Sequence, residues 1–126
     1  MEPSAFLDGA TVTISDRTYA VCRTEETYAT AFATVRDGTE TTTIIAEDAL
    51  DSVAYESIER GWKRLTFDVE LPFELVGFLA TVATALADAE VSVFVLSSYS
   101  TDHLLVQTDD IATAASTLVD LGCDVN

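Results

Sequence analysis

A chain of 126 residues, 48% of them hydrophobic, is long enough for one domain or two small lobes sharing a core, and too apolar to remain unfolded. Its 22 acidic residues stand against 6 lysines and arginines, a formal net charge of -16. That balance excludes nucleic acid as a partner, since phosphate binding needs Lys and Arg to displace counterions, and it disfavours an anionic membrane for the same reason.

Only Lys63 is lysine; Arg17, Arg23, Arg36, Arg60 and Arg64 supply the other cations, and threonine is abundant at 18. The acids are interspersed, without a run of five or six like charges. A normal core under such a surface suits molar salt, which screens self-repulsion over a few ångströms, and predicts a halophile's protein. The N-terminal MEPSAFLDGA has no basic region or apolar stretch of signal-peptide length, and no segment approaches 18 apolar residues, so a soluble cytoplasmic protein is expected. Cys22 and Cys123, far apart in a cytosolic chain, are expected as small reduced core residues.

The chain changes texture near Gly61. Before it, β-branched and threonine-rich runs predict strands at Thr11–Ser15, Thr18–Arg23, Phe32–Arg36 and Thr41–Ala46, with Asp37-Gly38 as a hairpin turn. The spacing of Leu50, Val53, Ala54 and Ile58 allows a short helix within Glu47–Glu59, stopped by Gly61. After Gly61, Leu65, Phe67 and Val69 alternate with polar residues and predict a half-buried strand over Lys63–Glu70.

Leu75, Leu79, Val82 and Leu86, flanked by Val76 and Ala83, predict an amphipathic helix over Leu75–Ala89. Val91–Leu96, apolar on both faces, predicts a central strand covered on both sides. His103–Thr108 is the next strand; Thr108 or Asp109 caps a helix through Leu121, Gly122 ends it, and Cys123–Val125 adds a last strand. From residue 63 the order is β-α-β-β-α-β, the ferredoxin-like unit of an α+β fold.

Catalytic machinery is not signalled. Asp102 would point away from the single histidine, His103, if both lie in one strand, and no nucleophile elbow or glycine-rich phosphate loop occurs. Asp109-Asp110 sits where a helix cap would use a carboxylate anyway, and no zinc or EF-hand spacing is present. Two segments suit a small zwitterion instead. The loop Leu71-Pro72-Phe73-Glu74 leads into Leu75-Val76-Gly77, where helix N–H groups attract a carboxylate. The turn Ser97–Asp102 offers hydroxyls and, in Asp102, a partner for an ammonium or guanidinium. Gly77 in a first helical turn costs about 1 kcal/mol relative to Ala, which suggests a close backbone or ligand approach.

These residues, namely Gly61-Trp62 with Lys63–Phe67, Phe73–Ala80, Ala85–Ala89 and above all Val91–Val106, resemble the small ACT-domain proteins. Those are chains of two ACT-like halves, aspartokinase-regulatory-like and related to the arginine-sensing CASTOR proteins of animals. The resemblance is specific over residues 61–115 and thinner before them, where Tyr19–Arg23 and Phe32–Glu47 look like a degenerate first half. It implies an ACT domain at 61–126, a degenerate, mostly β ACT-like half at 1–60, and regulatory amino-acid binding without catalysis at an interface between ACT units. The implied ligand-binding positions are Phe73, Leu75, Val76, Gly77, Leu79, Ser98, Tyr99 and Asp102. Glu90 stands where the family usually has a glycine, which implies a different cap or a left-handed residue. The expected partners are a small amino acid, a second copy in a homodimer, and an enzyme or regulator not identified by the sequence; no cofactor and no metal are expected. The competing expectation is a protein-interaction module whose pocket is vestigial.

Overall fold

The structure is a computed structural model that describes residues 2–126. Two compact units partition it: residues 2–15 with Lys63–Asn126, and Asp16–Trp62. Both long strands, β1 (Thr11–Thr24) and β4 (Tyr55–Phe67), run from one unit into the other. Residues 2–15 therefore belong to the same unit as the C-terminal residues 63–126.

In the Asp16–Trp62 unit the strand order is β2 (Ala33–Arg36), β3 (Thr41–Ala46), β1, β4. The two runs expected at 11–15 and 18–23 are one continuous strand. β2 and β3 form an antiparallel hairpin pairing Arg36 with Thr41. Its turn is held by Asp37, whose Oδ1 accepts the N–H groups of Thr39 (2.8 Å) and Glu40 (2.9 Å). Those donors, Glu40's first, draw the Asp37 carboxyl below the ordinary range. Ala20, Cys22, Ile45, Leu50 and Val53 form a small core, and the buried hydroxyls of Thr24 and Thr43 meet at 2.8 Å.

Between β3 and β4 the expected short helix is a 3-10 turn, Glu47–Ser52, and the chain is extended again from Tyr55. Gly61 therefore stops no helix. It lies inside β4 at φ +85°, a left-handed conformation that only glycine adopts without strain, and its N–H donates to Glu47 Oε2 at 2.7 Å.

The other unit carries α1 (Pro3–Leu7), α2 (Phe78–Asp88), α3 (Ile111–Asp120) and the strands β5 (Val93–Ser97), β6 (Asp102–Gln107) and β7 (Asp124–Val125). From Lys63 onward it is the expected ferredoxin-like β-α-β-β-α-β series. The sheet order, however, is β7-β1-β4-β6-β5. The N-terminal strand is inserted: β7 pairs in parallel with Thr11–Val12, and Asp68 N–H donates to Thr11 O at 2.8 Å. One core gathers Leu7, Ala10 and Val12 with Leu65, Phe67, Phe78, Val82, Leu86, Leu104, Val106, Ala114 and Leu118. Strand alternation puts Leu65 and Phe67, with Leu104 and Val106, on this helix-covered face and leaves Arg64, Thr66 and His103 on the other. Cys123 is buried and, like Cys22, a free thiol.

Two expectations are corrected here. β5 is an edge strand, not a central one, and Val93–Leu96 are only partly buried. Apolar residues on both faces signal a strand that some surface covers, and do not say whether that surface lies within the chain. The helix expected from Leu75 begins three residues later, because Gly77 takes φ +90° and serves as its N-cap. At the far end Glu90 is the non-glycine residue with positive φ among the described residues, at +62°. It follows the C-cap Ala89, as Val91 N–H closes back on Leu86 O at 2.9 Å. Glu90→Gly is expected to stabilise the fold by about 0.5–1 kcal/mol, the left-handed penalty of a side chain less the extra backbone freedom glycine has when unfolded. Denaturant unfolding checks this; a lower midpoint for the variant contradicts it.

Candidate functional site

The site assembles from two segments that sequence spacing alone keeps apart. The loop after β4 is pinned to the β5–β6 turn by Leu71 N–H donating to Ser100 O at 2.6 Å, and it turns again through Leu75 N–H to Pro72 O at 3.1 Å. The β5–β6 turn closes through Ser98 N–H to Thr101 O at 2.8 Å, and Thr101 Oγ1 anchors it to Phe67 O at 2.8 Å. The Phe73 and Tyr99 rings meet edge to face, centroids 4.8 Å apart. Between the segments lies a cleft of about 340 Å³, lined by Leu71, Pro72, Phe73, Leu75, Gly77, Phe78, Leu79 and Ala80 on one side and residues 97–102 on the other.

Of the residues singled out from the sequence, Phe73, Leu75, Gly77, Leu79, Ser98, Tyr99 and Asp102 line this cleft together. Val76 does not; its side chain is 81% exposed. Starting the helix after Gly77 turns Val76 outward and brings in Phe78 and Ala80, which sequence reasoning missed. The four-residue spacing Phe78, Val82, Leu86, all three buried, was the available signal.

Gly77 is glycine for its backbone, which is left-handed at φ +90°; a Cβ there would meet Pro3 Cγ at 3.4 Å, an ordinary contact. The first intrahelical backbone bond of α2 runs from Thr81 N–H to Gly77 O at 3.0 Å, so the amides of Phe78, Leu79 and Ala80 precede the ladder at the positive end of the helix dipole, on residues that line the cleft. Opposite them, Asp102 supplies the carboxylate of the cleft, with Ser97 Oγ donating to its Oδ1 at 2.6 Å. No lysine or arginine is among the lining residues. The arrangement pairs a partly positive helix end with one negative side chain across an apolar floor.

His103 lies beneath the turn, almost wholly buried, with Nδ1 3.0 Å from Thr66 Oγ1 and Nε2 2.6 Å from Ser98 Oγ. Burial first, then the Arg64 guanidinium, lowers its pKa against the opposing pull of Asp102, so the ring is neutral at pH 7. Asp102 and His103 occupy successive positions of β6 and face opposite sides, which rules out their acting as an orienting pair. Among the described residues, no three His, Cys, Asp or Glu side chains converge as a metal site, and no helix is long and apolar enough to cross a membrane.

Comparison with known proteins agrees with this architecture. No curated protein matches the sequence. Among solved structures, a protein from Agrobacterium tumefaciens superposes with a TM-score of 0.78 at 22% identity, covering 94% of this chain and 92% of its own. A protein of unknown function from Vibrio cholerae, described as a possible transport protein, gives 0.76 at 21% identity, with 94% of each chain covered. The ligand-free regulatory subunit of aspartate kinase from Thermus thermophilus gives 0.64 at 7% identity, covering 91% of this chain and 98% of its own. At these identities the likenesses establish the fold. The model of the ACT domain family matches residues 57–120, a span that includes the whole cleft and more than half of the sequence, and this chain belongs to that family.

Proposed function

We propose that this chain, a member of a family of regulatory modules that often bind amino acids, is a non-catalytic regulatory protein of the cytoplasm that binds a small amino acid in the cleft and passes occupancy to an enzyme or regulator. The observation that carries the reading is that the N-terminal residues of α2 and Asp102 line one cleft of about 340 Å³, the charge pattern of a zwitterion's complement. The aspartate kinase regulatory subunit among its structural likenesses supports a regulatory role. Occupancy shifts a partner only if the ligand prefers one arrangement over another. We also propose a homodimer associating through β5, whose apolar edge is otherwise incompletely covered; a monomeric mass in high-salt light scattering contradicts it.

Asp102→Ala is the direct test of the ammonium site. A charge-assisted hydrogen bond contributes about 1.5–3 kcal/mol, so calorimetric titration should show affinity falling on the order of tenfold to a hundredfold. Asp102 is half-buried at the start of β6 and accepts one hydrogen bond, from Ser97, so the change should cost no more than about 1 kcal/mol of stability. Unchanged affinity contradicts the role of Asp102. One observation favours a second reading, an interaction module with a vestigial pocket: Phe73, Val76 and Tyr99 are 72%, 81% and 82% exposed around the cleft mouth. That reading expects the Asp102→Ala variant to bind its partner normally.

A further inference from the structure

A chain of hydrogen bonds runs from the sheet face opposite the helices to the mouth of the cleft. Arg64 Nη1 lies 2.9 Å from Thr66 Oγ1, Thr66 Oγ1 lies 3.0 Å from His103 Nδ1, and His103 Nε2 lies 2.6 Å from Ser98 Oγ. A guanidinium can only donate, so Thr66 Oγ1 is an acceptor toward Arg64 and its own hydrogen is available for His103 Nδ1. Electrostatics favours the same direction. The Arg64 cation approaches the ring from the Nδ1 side through Thr66, where a lone pair is more stable than an N–H. The ring then carries its proton on Nε2 and donates it to Ser98 Oγ, which leaves the hydrogen of Ser98 for the cleft it lines.

We infer that Arg64, Thr66 and His103 form a directed relay that orients the Ser98 hydroxyl as a donor into the cleft, making Ser98 the seat of a carboxylate oxygen and His103 its positioning residue. This assignment rests on the amino-acid reading above and fixes the orientation of the ligand: carboxylate at Ser98 and the leading amides of α2, ammonium at Asp102. The charged groups acting on the ring are Arg64 from β4, which disfavours its protonation, and Asp102 from β6, which favours it. Burial and Arg64 prevail, so a neutral ring with one defined tautomer is the working state above the ordinary histidine range.

The chain contains one histidine, so its ring nitrogens can be observed without assignment. Two-bond 1H–15N correlation spectra of the whole protein near pH 8 are expected to show the Nε2–H tautomer. Thr66→Val, which removes the hydroxyl at Nδ1, should raise the Nδ1–H fraction. Acetate, compared with chloride at matched ionic strength, should shift the Nε2–H resonance in the native protein and leave Ser98→Ala unmoved. A predominant Nδ1–H tautomer overturns the relay. An Nε2–H tautomer insensitive to acetate, or one that responds equally in Ser98→Ala, overturns the carboxylate seat. Neither result touches whether an amino acid binds at all, which ligand-dependent unfolding decides separately.

Discussion

Expressed alone, residues 61–126 are expected to show no cooperative unfolding transition, although they contain every element of the β-α-β-β-α-β series. The fragment lacks Thr11–Ser15, the strand between β7 and β4, and with it the backbone partners of β7 and of Asp68. It also lacks Leu7 and Val12, both essentially fully buried in the core of this unit. Burying two such side chains stabilises by about 3–6 kcal/mol. That is comparable with the whole stability of about 5–15 kcal/mol typical of a small domain. The remedy follows from the same geometry. Ser15 Oγ accepts the Arg64 N–H at 2.9 Å and Ser15 O accepts from Lys63 Nζ at 3.2 Å, so a short turn can join residue 15 to residue 63. A chain of residues 2–15 so linked to 63–126 should unfold cooperatively in circular dichroism. A cooperative transition in 61–126 alone contradicts the account.

Phe67→Ala is expected to cost about 3–5 kcal/mol, the range for emptying a fully buried aromatic position. Phe67 is completely buried at the end of β4 and packs edge to face on Phe78, centroids 5.2 Å apart and planes at 83°. The pair joins the last strand residue before the cleft loop to the first residue of α2. Its loss removes the dispersion contacts of a ring and an aromatic contribution of about 0.5–1.5 kcal/mol. Phe67→Leu, which keeps most of the volume, should cost less than half as much. Denaturant unfolding in high salt measures both; a loss below about 1.5 kcal/mol for the alanine variant contradicts the central position given to Phe67.

The elements legible in the sequence are those whose period is fixed by their own burial. Leu65 and Phe67 alternate because one face of β4 meets the helices, and α2 and α3 show their apolar stripes for the same reason. The strand at Thr11–Ser15 is legible but its place in the sheet is not, since pairing of β7 with Thr11–Val12 joins residues at opposite ends of the chain and leaves no local pattern. The candidate site was legible as two loops with suitable chemistry. The exchange of Val76 for Phe78 depended on where the helix starts, which Gly77 decides by a positive φ that composition does not reveal. In the sequence His103 is the first residue of a predicted strand; its link to Thr66, and through it to Arg64, exists only once β4 and β6 are side by side.

The cleft combines an apolar floor, a helix end and one carboxylate, a set suited to an amino acid. Thermal unfolding of the full chain shows whether one binds, in about 2 M KCl, where screening extends only a few ångströms and offsets the self-repulsion of the acidic surface. Each amino acid is added in turn at millimolar concentration. A ligand present at a hundred times its dissociation constant adds about 2.7 kcal/mol of stability, a shift of several degrees. Such a shift is expected with one or two amino acids and is lost in Asp102→Ala. A protein that melts cooperatively at the same temperature with every amino acid contradicts an amino-acid site in the cleft.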